Sequence, residues 1–159
     1  MKHIWIMRHA TAENASKDYD RKLAEKGTQE AIKAAEFLNK SGTLPELILA
    51  SSASRTRETA AYIKQNMNNN VDIEFIDELY RADMNRILQQ LQKVNERYQA
   101  VILIAHNPGV YEFSMEFIKE NQALLKATVP ASIAYFTVEC NLWSLLDKGQ
   151  GSLRWFFMP

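Results

Sequence analysis

Two stretches decide how this chain reads: Ile4-Trp5-Ile6-Met7-Arg8-His9, and Val101-Ile102-Leu103-Ile104-Ala105-His106-Asn107-Pro108-Gly109. Each is a short apolar run that stops at a histidine and enters a turn. Runs of this length, bounded by turn residues, fit buried strands. In an open α/β sheet, ligands bind outside the carboxyl ends of the strands. Two imidazoles and the guanidinium of Arg8 are therefore expected at one strand-end crevice.

Working outward, apolar runs alternate with helical patterns. That alternation predicts a three-layer α/β/α arrangement around a mostly parallel central sheet. The expected strands are His3–Met7, Leu47–Ala50, Val71–Phe75, Ala100–Ala105, Ile133–Val138 and Leu153–Met158, the last as an antiparallel edge pair. The expected helices are Glu25–Lys40, Arg55–Met67, Met84–Tyr98 and a fourth after Pro108-Gly109 that carries Val110, Phe113, Phe117 and Ile118. Ala24, Gly27, Ala31, Ala34, Ala35 and Leu38 give the first helix its i, i+3, i+4, i+7 stripe. Ser41-Gly42 supplies its stop. No repeat, low-complexity tract or long heptad pattern appears, and none of the four prolines divides the chain. Residues 1–159 read as one domain with one sizeable core.

The chain is 47% apolar and 24% charged, with 19 basic and 19 acidic residues. These are ordinary globular values. No basic excess points to nucleic acid or to an anionic membrane, so an anion site must be a local cluster. No apolar run approaches the roughly 18 residues of a membrane span. Cys140 is the only cysteine, so no intrachain disulfide can form and a reducing compartment is permitted. A cytoplasmic location is the expectation. Three histidines and one cysteine give no zinc spacing, and no cofactor is expected.

A phosphoryl group needs donors on its equatorial oxygens and a nucleophile in line with the leaving group. Arginine offers a planar fork for two oxygens. A neutral imidazole can attack phosphorus, and histidine's ordinary pKa of about 6.5 makes that form accessible. A hydrogen bond from the other ring nitrogen to a backbone carbonyl would aim it. Ser51-Ser52-Ala53-Ser54-Arg55-Thr56 follows the second strand, with Ser51 to Ser54 as helix caps. A cation in the first turn of a helix is electrostatically disfavoured. Arg55 is easier to understand there if it serves a bound anion.

Arg8-His9-Ala10 resembles the Arg-His-Gly element of the histidine phosphatase superfamily, the phosphoglycerate mutase-like fold. Ser51-Ser52-Ala53-Ser54-Arg55-Thr56 resembles its Ser-Pro-x-x-Arg-Ala element, and His106-Asn107-Pro108-Gly109 its second histidine motif. The SixA-type phosphohistidine phosphatases carry Arg-His-x-x-Ala-Glu, then Asp-x-x-Arg-x-Leu-Thr-x-x-Gly. This chain has Arg8-His9-Ala10-Thr11-Ala12-Glu13, then Asp20-Arg21-Lys22-Leu23-Ala24-Glu25-Lys26-Gly27. The departures include Ala10 for Gly and Ser52 for Pro, and neither removes a catalytic side chain.

The resemblance implies a metal-independent phosphatase in which His9 is the nucleophile and Arg8, Arg55 and His106 line the phosphate pocket. It implies a proton donor after the third strand, with Glu78 the best placed and Asp77 and Asp83 competing. The substrate implied is phosphohistidine on a protein such as a phosphotransfer domain. The larger relatives insert a lid domain, for which 159 residues leave no room. The rivals are a general phosphatase for small phosphorylated substrates and a non-catalytic module that binds phosphorylated partners. Arg57 competes with Arg55, its bland reading being an exposed helix face paired with Glu58 or Glu30. Thr11, Asn14 and Ser16 are loop residues in reach of phosphate, or simply turn formers. Arg21 matches a motif position, though an ion pair with Asp18 or Asp20 explains it equally. His3 reads as structural, Tyr19, Tyr80 and Tyr111 as core or cleft rim, and Cys140 as buried.

Overall fold

The computed structural model describes all of Met1–Pro159. Seven strands form one sheet in the order β3-β2-β4-β1-β6-β7-β5. They are β1 (Lys2–Arg8), β2 (Leu47–Ser51), β3 (Asp72–Ile76), β4 (Ala100–Ala105), β5 (Ile118–Glu120), β6 (Ile133–Val138) and β7 (Gly151–Phe157). Only β6 runs against its neighbours: it pairs antiparallel with β1 and β7, and the remaining pairings are parallel. The four helices are α1 (Glu25–Lys40), α2 (Ser54–Asn66), α3 (Met84–Gln92) and α4 (Gly109–Phe117).

The two-residue period of the strands sorts the core into two layers. Trp5, Met7, Ile48, Ala50, Ile102 and Ile104 face α1 and α2, packing on Ala31, Ala34, Ala35, Leu38 and Ala60. Ile4, Ile6, Leu47, Leu49, Val101 and Leu103 face the other way, onto Ile87, Leu91, Val110, Phe113 and Phe117 of α3 and α4. The central strands β1, β2 and β4 are buried on both faces, which is why they read as unbroken apolar runs.

The alternation therefore predicts the three-layer α/β fold that is observed, with three local differences. Helix α3 ends at Gln92 rather than Tyr98. There the Asn95 side chain accepts from the Arg97 N–H, and the Tyr98 N–H donates to the Asn95 carbonyl, so a local turn replaces the helix. Ile118 leaves α4 and opens β5, which pairs with β7, so β7 is not the sheet edge. The cap of α2 is Ala53, with no side-chain cap, rather than a serine.

Two glycines mark close approaches that position the site. A Cβ on Gly27 would lie 2.0 Å from the Thr11 carbonyl oxygen, and one on Gly109 the same distance from that of Ala82. The first brings the loop after β1 onto α1, and the second brings the loop before α3 onto α4. Both obstacles are backbone atoms and cannot rotate away. We expect Gly27→Ala and Gly109→Ala each to lose about 1–3 kcal/mol, the usual range for overpacking. Urea unfolding would measure it, and an unchanged midpoint for either variant would contradict these contacts.

Candidate active site

The register of three parallel strands brings the motif residues together. Arg8 pairs with Ala105 across β1 and β4, and Ala50 with Ile104 across β2 and β4. The chain segments that follow these strands therefore start level, along one edge of the sheet. A cleft of about 620 Å³ lies there, lined among others by Arg8, His9, Thr11, Arg55 and His106.

His9 is 7% exposed. Its Nδ1 lies 2.7 Å from the Ala10 carbonyl oxygen, which can only accept, so Nδ1 carries the proton. Nε2 then holds a lone pair, and the Arg55 Nε–H donates to it at 3.3 Å. The carbonyl contact expected from the sequence is thus present, and it leaves the free lone pair of the ring on Nε2. The Ala10 N–H donates to the Thr59 hydroxyl, which itself donates to the Arg55 carbonyl. The Ala131 N–H bridges the carbonyls of Arg8 and His9. Ala10 does not take a positive φ, so the alanine in place of glycine costs nothing there.

His106 stands 5.2 Å from His9, ring centre to ring centre. The Ser51 hydroxyl accepts from the Ala53 N–H and lies 2.8 Å from His106 Nε2. The buried Ser51 hydroxyl has no other acceptor in reach, so it donates its proton to Nε2, and the His106 proton resides on Nδ1. That Nδ1 is buried with no protein partner, and so is Arg8 Nε. Buried donors without partners call for an explanation, and an anion in the cleft supplies one. Arg8 is anchored by its Nη1 donating to the Thr128 carbonyl at 3.0 Å. Asn107 and Thr128 exchange two hydrogen bonds that tie the turn after β4 to the same segment.

Burial pushes His9 down to about 4, helped by Arg55 and Arg8 and opposed by the Ala10 carbonyl. Burial, then His9 and Arg55, push His106 down to about 3. Both imidazoles are neutral at neutral pH, the form an attacking nitrogen requires.

Arg55 is 5% exposed and lies in the cleft. Arg57 is exposed; its Nε donates to the Ser52 carbonyl and its guanidinium covers Phe75. The structure thus separates the two arginines, and neither Glu58 nor Glu30 pairs with Arg57: Glu58 accepts from the Leu23 N–H and Glu30 from the Thr11 N–H. Thr11 and Arg21 line the cleft, whereas Asn14 is exposed and outside the lining. Glu78 and Asp77 are likewise exposed and outside it. Asp83 lines the cleft while capping α3, accepting from the Arg86 N–H. Glu112 is a further carboxylate on that lining. His3 is structural, in contact with the Tyr135 hydroxyl at 2.7 Å. Cys140 is half-exposed rather than buried.

The residues that sequence reasoning missed are Asp18, Tyr80, Ser51 and Thr128 in these roles. Asp18 Oδ2 accepts from Arg55 Nη2 at 3.1 Å and from the Tyr80 hydroxyl at 2.7 Å. Its carbonyl accepts from Arg55 Nη1 at 2.7 Å, and Arg21 pairs with its Oδ1 at 3.3 Å. The Tyr80 and Arg55 hydrogen bonds hold the Asp18 carboxyl well below the usual carboxylate range. Tyr80, expected in the core or at the cleft rim, is half-buried, joins Asp18 and sets its ring edge against His106.

Unfolded, both site histidines titrate near about 6.5; folded, they titrate at about 4 and about 3. Between these values the unfolded chain binds more protons. Stability is therefore complete above about pH 6.5 and falls as the pH drops through that window. The expected result is a melting temperature lower at pH 5 than at pH 7.5, with imidazole ¹⁵N shifts of His9 and His106 still those of neutral rings at about pH 5.5. Imidazolium shifts at that pH would contradict the assignment.

Comparison with known proteins agrees with this geometry. Residues 4–112 match the histidine phosphatase superfamily (branch 1). A structure from Agrobacterium tumefaciens assigned as the phosphohistidine phosphatase SixA is 29% identical, with a TM-score of 0.83 over 99% of this chain and 98% of that one. The protein histidine phosphatase SixA in complex with tungstate is 25% identical, with a TM-score of 0.79 over 97% and 95%. An uncharacterised chloroplastic protein of Arabidopsis thaliana is 29% identical over 120 residues, which are 68% of this chain and 55% of that protein. The chain spans about half the length of the first curated relatives it matches. No helix is long and apolar enough to cross a membrane. The strand-end histidines, the arginines around them and the family match place the chain in the histidine phosphatase superfamily, and its structure is similar to those of SixA proteins.

Proposed function

We propose that the protein is a metal-independent phosphatase that works through a phosphohistidine on His9 and acts on phosphohistidine borne by a protein. The observation that carries the reading is the fixed tautomer of His9. Its Nδ1–H is held by Ala10, and its Nε2 lone pair faces Arg55 inside the cleft. In the first step Nε2 attacks phosphorus, and the bond to the leaving group breaks. Arg8, Arg55 and the Nδ1–H of His106 bind the equatorial oxygens, where charge must be stabilised. In the second step water attacks phospho-His9. The P–N bond breaks, phosphate leaves, and Nε2 regains its lone pair.

The leaving group bears on the substrate. A phosphohistidine protonated on its distal ring nitrogen departs as neutral imidazole and takes no proton at the bond that breaks. An alkoxide needs one. Of the carboxylates Glu78, Asp77 and Asp83, only Asp83 lines the cleft, and its side chain is engaged by the Arg86 N–H. Asp18 on the same lining is engaged by Arg55 and Tyr80, which leaves the exposed Glu112 as the one cleft carboxylate whose side chain makes no hydrogen bond, and a site so poor in free acid suits the imidazole leaving group better. The likeness to SixA structures, one of them holding the oxyanion tungstate, supports the same class. A second reading is a phosphomonoesterase for small molecules, because about 620 Å³ lies within the range of small-ligand sites.

Phosphate release from a phosphohistidine-bearing phosphotransfer protein and from p-nitrophenyl phosphate separates the two. Faster release from the protein, lost in His9→Ala, is the expected result; preference for the ester would favour the second reading. Arg55→Ala is expected to lose about 10²–10³ in turnover, the usual effect of removing one transition-state donor. Arg57→Ala should stay near wild type, and the reverse pattern would refute the assignment of Arg55. EDTA is expected to leave turnover unchanged. Inhibition relieved by Mg²⁺ or Zn²⁺ would refute the metal-free step.

A further inference from the structure

Asp18 sits in the 3-10 turn Asp18–Asp20, in the loop between β1 and α1, three residues before Arg21, which is the spacing of the Asp-x-x-Arg element. Its side chain makes three hydrogen bonds in the cleft, with Arg21, Arg55 and Tyr80. A guanidinium has two faces to offer: an end formed by Nη1 and Nη2, and a side formed by Nε and Nη2. In Arg55 the end is taken by Asp18 alone, Nη1 by its carbonyl and Nη2 by its carboxylate. The side carries Nε, which donates to Nε2 of His9 at 3.3 Å, and the second hydrogen of Nη2, which faces the cleft without a protein partner.

We propose that Asp18 is a positioning residue: it holds the end of the Arg55 guanidinium so that the Nε–Nη2 side forks two oxygens of the phosphoryl group on its way to His9. Tyr80 is the second anchor of the device. Its hydroxyl donates to the Oδ2 that also accepts from Arg55, so the carboxylate oxygen is fixed from two directions. Arg21 holds the other oxygen. A swung guanidinium would present one donor where two are needed, and a misplacement of about 1 Å at a reacting centre can cost on the order of 10²-fold. Asp18 itself touches no reacting atom.

The opposite interpretation is open to the same experiment. A carboxylate bound to a phosphate-binding arginine can act as a competing anion that the substrate must displace. If so, removing it would tighten oxyanion binding. If Asp18 positions Arg55, removing it weakens oxyanion binding and slows turnover together.

The inference rests on the proposed roles of His9 and Arg55. The test is turnover and orthovanadate inhibition in Asp18→Ala, Asp18→Asn and Tyr80→Phe, each also combined with Arg55→Ala. The expected result for Asp18→Ala is a fall of about 10–100-fold in kcat, with a weaker vanadate Ki. Asp18→Asn keeps an acceptor oxygen and should recover part of the loss. Tyr80→Phe leaves Asp18 in place and should lose less, in the same direction. None of the three should lower activity further in the Arg55→Ala background, since contacting residues that act as a unit are non-additive. Tighter vanadate binding in Asp18→Ala overturns the proposal, as does a loss that adds in full to that of Arg55→Ala. Wild-type activity in both Asp18→Asn and Tyr80→Phe overturns it as well, even if Asp18→Ala fails to fold. A normal Arg55→Ala enzyme would instead overturn the earlier reading of Arg55.

Discussion

The parallel pairing of β4 between β2 and β1 is the constraint on which the site depends. Arg8 sits opposite Ala105, and Ala50 opposite Ile104, so three strand ends fall level. His9, His106 and the Ser51–Arg55 segment begin where the ladder stops. A slip of one residue in either pairing would move a whole apolar set to the wrong face. The two buried layers on either side of the sheet forbid it. The positions of the two imidazoles are thus held by the core, at a cost no surface loop could meet.

Charge is managed in a second tier. The cleft gathers Arg8, Arg21, Arg55 and Arg81 around two imidazoles kept neutral by burial. Four guanidiniums at one strand-end crevice repel one another unless an anion is present. Asp18 is the carboxylate that Arg21 and Arg55 pair with and Arg81 approaches. Arg8 has no carboxylate partner; its Nη1 takes a backbone carbonyl, and its Nε stays unpaired. Arg8 Nε and the Nδ1 of His106 together are buried donors aimed at nothing in the protein. An oxyanion would satisfy both, which is why the geometry reads as a phosphoryl site rather than as a chance cluster.

Much of this was visible in the chain itself. Helix α1 has the bounds its apolar stripe predicts, Glu25–Lys40. The strand-end histidines fall where the apolar runs stop. Arg55 is preferred to Arg57 on its place in the first turn of α2, and of the two it is the one that is buried and lines the cleft. What was hidden shares one property: it depends on contacts across long stretches of chain. Asp18 meets Arg55 and Tyr80, 37 and 62 residues away. Ser51 fixes the tautomer of a histidine 55 residues on. Local spacing names no partner for such residues, although the Asp-x-x-Arg spacing counted back from Arg21 falls on Asp18. Glu78 shows the converse. Its place after β3 resembled a family position, but the 3-10 turn Asp77–Leu79 leaves it exposed, while Asp83 and Glu112 face the cleft. The stop of α3 at Gln92 has a local cause, the Asn95 turn, that its apolar stripe masked.

The central claim is that His9 takes the phosphoryl group onto its own ring. The most direct measurement is a rapid-quench reaction with a phosphohistidine protein labelled in its phosphoryl group, stopped in alkali and followed by peptide mapping. The account predicts a transient label on the peptide that carries His9, alkali-stable and acid-labile as a phosphoramidate is, formed and consumed at rates consistent with turnover. Turnover without any label on His9, or with label on a carboxylate or hydroxyl side chain, would contradict it.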